Sequence, residues 1–138
     1  MGCDEVILLD THAAFWMANN DPSLGRASQQ LIVQSLLSSG VAISSISFWE
    51  LALLVSKKRL IFHQSVANLR SRMIGSGITE LPITGDIAIE AVKLENLHGD
   101  PADRFIVATA MAHGATLVTA DKAMLKWRGK LARQDATR

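Results

Sequence analysis

The chain has 138 residues, 49% of them apolar, and a net charge of only +1. That length suits one domain, residues 1–138, with a sizeable core, and so even a charge balance excludes a bulk field calling for nucleic acid or a membrane surface. Cys3 is the single cysteine, which excludes an internal disulfide and a cysteine-based zinc site and fits a reducing cytosol.

Val6-Ile7-Leu8-Leu9 is a short continuous apolar run, as expected of a strand buried on both faces. It ends at Asp10, and Thr11 to Ala18 reads as a short helix with Phe15 and Trp16 as core candidates. After the loop Asn19-Asn20-Asp21-Pro22, Ser23 is placed to cap a second helix that ends at Gly40. Val41-Ala42-Ile43 is a second buried strand. Ser47 opens a third helix, Phe48 to Val55, followed by Lys57-Lys58-Arg59. His63 to Ile74 is a fourth helix, closed by Gly75-Ser76-Gly77. Ile78 to Ile83 is a third strand, and Thr84 to Leu97 a helix capped by Thr84 or Asp86.

His98-Gly99-Asp100-Pro101 then breaks the chain. Asp100 stands where an N-cap belongs and Pro101 at the first helical position. Phe105 to His113 carries hardly a polar side chain, so this helix is buried on most sides, with Asp103 in its first turn. Ala115 to Val118 is a fourth strand, leading through Thr119 and Ala120 to Asp121. A last short helix holds Met124, Leu125 and Trp127. From about residue 129 the basic end reads as solvated and frayed, or as a patch facing phosphate. Gly2 is followed by Val6 where a myristoylation signal needs a hydroxyl residue. The N-terminus lacks a signal-peptide pattern and no apolar run is long enough to span a membrane, so a cytoplasmic location is expected.

Strands alternating with helices argue for a parallel sheet covered on both faces. In such sheets, sites form beyond the carboxyl ends of the strands. Four acids fall there: Asp10 after strand one, Glu50 after strand two, Asp103 at the central helix, and Asp121 after strand four. Each has a local explanation. Asp10 and Asp121 can cap helices, Asp103 can offset a helix dipole, and Ser47 with Glu50 forms a capping-box pattern. Together they ask for more. Two unit charges ~4 Å apart repel by about 1 kcal/mol in water and by several times that near protein. A cluster of hard carboxylate oxygens therefore suits Mg²⁺ or Mn²⁺.

Four segments, Leu9-Asp10-Thr11-His12-Ala13, Ser47-Phe48-Trp49-Glu50-Leu51-Ala52, Asp100 to Ala110, and Leu117-Val118-Thr119-Ala120-Asp121, resemble the signature segments of the PIN-domain family, in the family's order. Within it, the similarity is to the VapC-type toxins of bacterial toxin–antitoxin pairs. The resemblance implies a three-layer α/β/α domain with a mainly parallel sheet of four or five strands, and a metal-dependent endoribonuclease. It assigns Asp10, Glu50, Asp103 and Asp121 as catalytic and metal-binding residues for one or two Mg²⁺ or Mn²⁺ ions. Water would attack phosphorus in line, leaving 5′-phosphate and 3′-hydroxyl ends. Thr119 matches the family's recurrent hydroxyl, able to bond a metal-bound water or orient Asp121. Thr11 and Ser47 read as caps, and Asp100 as the N-cap within reach of the site. Lys57, Lys58, Arg59 and Lys122 are candidates for contacting RNA phosphates, and Arg104, beside Asp103, is placed either to pair with a neighbouring acid in a structural role or to contact phosphate. An antitoxin partner and a homodimer are implied too, with Leu51 to Leu54 and the His63–Ile74 helix as candidate interfaces.

Two alternatives share the same sheet. A phosphatase using an aspartyl-phosphate wants a second acid two residues after Asp10, where His12 stands, and a receiver domain wants a phospho-accepting Asp after strand three, where Asp86 fits poorly. The other alternative is a partner-binding module without turnover. The four histidines, His12, His63, His98 and His113, lack metal-ligand spacing and read as surface or helix-end residues.

Overall fold

A computed structural model describes residues 6–138; Gly2 and Cys3 lie outside the described residues. Five parallel strands form one sheet in the order β3-β2-β1-β4-β5. They are β1 (Ile7–Leu9), β2 (Val41–Ser44), β3 (Thr79–Leu81), β4 (Thr116–Thr119) and β5 (Arg133–Asp135). The helices are α1 (Thr11–Ala18), α2 (Arg26–Leu36), α3 (Ser45–Ser56), α4 (Val66–Gly75), α5 (Gly85–Lys93), α6 (Pro101–His113) and α7 (Lys122–Lys126).

Side chains alternate across each strand, and both faces are covered. Ile7, Leu9, Val41, Ile43 and Val118 face α1 to α4, meeting Ala13, Ala14, Ile32, Leu51, Leu69 and Met73. Leu8, Ala42 and Leu117 face the other way, onto Ile87, Ala91, Ile106, Val107, Ala110 and Met124 of α5 to α7. That makes three layers, as the apolar strand runs require. The register pairs Leu9 with Ile43 and with Val118, which brings the carboxyl ends of β1, β2 and β4 to one edge. Chain order reverses about β1, so a crevice opens at that edge.

Capping decides where several elements begin. α1 and α6 occupy the expected spans, capped by Asp10 and Asp100. α6 ends at Gly114, whose φ of 60° is the left-handed conformation glycine adopts without penalty. α3 begins earlier than expected, at Ser45, because the Ser44 hydroxyl accepts from the Ile46 N–H. α2 begins later than Ser23, whose own N–H is taken by the Asp21 carboxylate at 2.9 Å. α4 waits for Ser65, which accepts from the Asn68 N–H. α5 stops at Lys93, not Leu97, because Leu94 turns extended.

The largest departure is at the end of the chain. It is not frayed: β5 pairs with β4 through Leu117 with Arg133 and Thr119 with Asp135. The Arg133 guanidinium reaches five carbonyls, those of Met124, Leu125, Trp127, Gly129 and Leu131. Ala136 is fully buried. No apolar stretch announces β5, because its three residues are Arg, Gln and Asp.

Candidate active site

Each acid of the crevice is placed by an element that the sequence forms for local reasons. Asp10 follows β1 directly and caps α1, its Oδ1 accepting from the Ala13 N–H at 2.8 Å. Asp121 follows β4 and caps α7, its Oδ1 accepting from the Met124 N–H at 3.1 Å. Asp103 stands in the first turn of α6, where the Asp100 Oδ1 accepts its N–H at 3.2 Å. Glu50 lies in the second turn of α3, because that helix starts at Ser45, so it does not close a capping box with Ser47. A cleft of about 320 Å³ is lined by all four acids together with Asp100, His12, Trp16 and Thr11.

Thr119 joins two of these acids. Its hydroxyl donates to the Asp10 Oδ2 and accepts from the Asp121 N–H at 3.0 Å. Thr11 and Ser47 are not the caps of α1 and α3, which are Asp10 and Ser44. Both are buried, and the Thr11 hydroxyl donates to the Ser47 Oγ at 3.0 Å, pinning α1 to α3 and so Asp10's helix to Glu50's.

The charges are crowded. Glu50, Asp100 and Asp103 offer carboxylate oxygens all within 4.8 Å of one another. Asp103 has its carboxyl pushed up to about 8, by burial first and then by the neighbouring Asp100, Glu50, Asp121 and Asp10. Asp10, only 5% exposed, is also raised by burial, with the Thr119 and Ala13 hydrogen bonds opposing. Such a set is unfavourable by itself and is what a hard divalent cation would relieve. The donors are carboxylate oxygens at a sheet edge, so the residues present fit Mg²⁺ or Mn²⁺.

The expected RNA contacts divide. Lys122 is exposed next to Asp121. Lys57, Lys58 and Arg59 are exposed at the end of α3, and Lys57 stands roughly 10 Å along the helix axis from Glu50. Arg104 is structural, but through backbone carbonyls and not through a neighbouring acid. Its five N–H donors all go to backbone carbonyls, of Ala91, Val92, Leu94, Leu97 and His98, so none is left for a ligand. Leu51, Leu69 and Met73, on the segments named as interfaces, are core residues.

One residue escaped the sequence reading. His98 points its Nε2 into the acids, 3.3 Å from the Asp103 Oδ2 and 4.0 Å from the Asp121 Oδ1. The available signal was a turn, not a ligand spacing: the ring Nδ1 accepts from the Asp100 N–H two residues on.

Comparison with known proteins matches the PIN domain family over residues 7–130. Ribonuclease VapC22 of Mycobacterium tuberculosis is 35% identical over 117 residues, covering 84% of this chain and 87% of that protein. Among solved structures, VapBC2 from Rickettsia felis bound to a DNA fragment from its promoter superposes with a TM-score of 0.69 at 20% identity, covering 94% of this chain and 97% of that one. A toxin-antitoxin complex from Klebsiella pneumoniae gives 0.61 at 23% identity, with the same coverage of 94% and 97%.

Proposed function

The chain belongs to the PIN-domain family, and from that membership we propose that it is a Mg²⁺- or Mn²⁺-dependent endoribonuclease, the toxin of a toxin–antitoxin pair. The observation that carries this reading is the convergence of Asp10, Glu50, Asp103 and Asp121 from four separate segments on one cleft. A similar ribonuclease and a similar toxin–antitoxin complex support it. The substrate is RNA, the partners are an antitoxin that covers the cleft and a second copy of the chain, and the compartment is the cytoplasm. No helix among the described residues is long and apolar enough to cross a membrane.

The residues divide the work. Glu50 and Asp103 supply close oxygens, and Asp10 and Asp121 complete the rim as ligands whose positions are set by caps and by Thr119. Bound there, a divalent cation would offset the charge of a phosphodiester and acidify a water molecule. Without it, carboxylates crowded this closely repel a phosphate. Lys122 and the Lys57–Arg59 run supply the positive charge that holds neighbouring phosphates of the strand.

Thermal melting of the wild type and Asp103→Asn in EDTA, Mg²⁺ and Mn²⁺ tests the site. A cation at ~10 times its Kd adds about 1.4 kcal/mol, a rise of roughly 3–5 °C for a domain of this size. The wild type is expected to show this rise and Asp103→Asn to lose it. Total RNA incubated with the wild type and Mn²⁺ is then expected to yield fragments with 5′-phosphate ends, absent with Asp103→Asn. A wild type indifferent to both cations at millimolar concentration overturns the reading.

A further inference from the structure

We propose that His98 is a positioning residue of the acidic centre: its Nε2–H holds the Asp103 carboxylate in orientation for the cation, and His98 is not itself a ligand. The inference rests on the metal-dependent reading above and adds a residue to it.

Three observations carry it. First, the ring's tautomer is set by a backbone donor. Nδ1 accepts from the Asp100 N–H at 3.3 Å, so in the neutral ring the proton sits on Nε2. A nitrogen bearing a proton has no lone pair for a metal, although His98 lies with Asp103 and Asp121 in a group whose ligand atoms fall within 4.8 Å. Second, this Nε2 is buried and has no completed hydrogen bond. Its nearest acceptor is the Asp103 Oδ2 at 3.3 Å, with the Asp121 Oδ1 farther off at 4.0 Å. A small turn of the Asp103 carboxylate satisfies the donor, and leaves the other Asp103 oxygen for the cation.

Third, the loop bearing His98 is fixed from both sides. Arg104 takes the carbonyls of Leu94, Leu97 and His98 itself. The Trp127 indole N–H donates to the Glu95 carbonyl at 2.8 Å. An imidazole on so constrained a backbone can hold a carboxylate without following it. Carboxylates that bind metals are commonly steadied in this way, and loss of such a partner weakens metal binding by about 10–100-fold.

The test is Mn²⁺ affinity of the full chain, read from the free-ion electron paramagnetic resonance signal, for the wild type, His98→Leu and His98→Gln. Leucine keeps the bulk and removes the donor. Glutamine restores an N–H at the reach of Nε2. His98→Leu is expected to bind at least about tenfold more weakly and His98→Gln to recover most of that loss. Both are expected to melt with the wild type in EDTA. Electron spin echo of Mn²⁺ bound to the wild type is expected to show no directly coordinated histidine nitrogen. Equal affinity in the wild type and His98→Leu overturns the proposal, as does a glutamine variant no better than leucine. A nitrogen coupling that disappears in His98→Leu overturns it differently, by making His98 a ligand. A wild type that binds no Mn²⁺ removes the metal-dependent reading and the proposal with it, an outcome distinct from the other three.

Discussion

Asp103 concentrates the electrostatics of the site in one residue. Its carboxyl has an ordinary value of 3.8 in the unfolded chain and is pushed up to about 8 in the fold. Between those values the folded state holds a proton that the unfolded state has lost, so stability falls as pH rises. In EDTA the wild type is therefore expected to lose stability from pH 4 to pH 8 relative to Asp103→Asn, the difference being read by urea denaturation across that range. Saturating Mg²⁺ should flatten the difference, because a bound cation keeps the carboxylate ionised. Thr119 makes a different prediction. Replacing it with Val leaves the Asp10 Oδ2 without its donor at a site only 5% exposed. The expected cost is about 1–3 kcal/mol, with Thr119→Ser retaining most of the stability; the midpoint of chemical denaturation measures both. The sequence showed Thr119 as a hydroxyl two residues before Asp121, but its second bond, to Asp10, spans 109 positions and follows only from the pairing of β1 with β4.

At the scale of elements, the helices whose caps are explicit in the sequence begin where expected. Asp10 and Asp100 are cap residues by type and by position, and α1 and α6 follow them directly. Glu50 shows the opposite case. Ser44, Ser45 and Ser47 all offer hydroxyls, and local pattern cannot choose among them. The choice falls to Ser44 because Ser47 is drawn inward to Thr11. The loop from α5 to α6 depends on Arg104 in a similar way. Its guanidinium gathers five carbonyls from Ala91 to His98, and no local rule marks an arginine beside an acid for that task. Arg104→Lys is expected to cost about 2–3 kcal/mol, because an ammonium has three donors at one point where the fork has five spread over a plane. Hydrogen exchange of residues 94–100 is expected to quicken in the same variant.

At the scale of the whole molecule, the C-terminal segment closes the sheet and locks onto α2. The Gly25 N–H donates to the Ala136 carbonyl at 2.8 Å and the Ser28 N–H to the Arg138 carbonyl at 3.1 Å. A Cβ at Gly25 would lie 2.0 Å from the Arg138 carbonyl oxygen, so the backbone there must move. Gly25→Ala is expected to destabilise the fold by about 1–3 kcal/mol and to release protection at Ala136, as hydrogen exchange would show. The sequence by itself determined the alternation of strands and helices, because the central strands β1, β2 and β4, covered on both faces, are apolar along most of their length. It also determined the caps Asp10, Asp100 and Asp121, and with them the places of three of the four acids, because a cap is a contact between near neighbours in the chain. Tertiary structure alone decided the rest: the order of strands, β5 with its polar residues, the face Glu50 presents, the carbonyls Arg104 collects, and the aim of His98. Each of these depends on groups far apart in sequence, brought together only when the sheet forms.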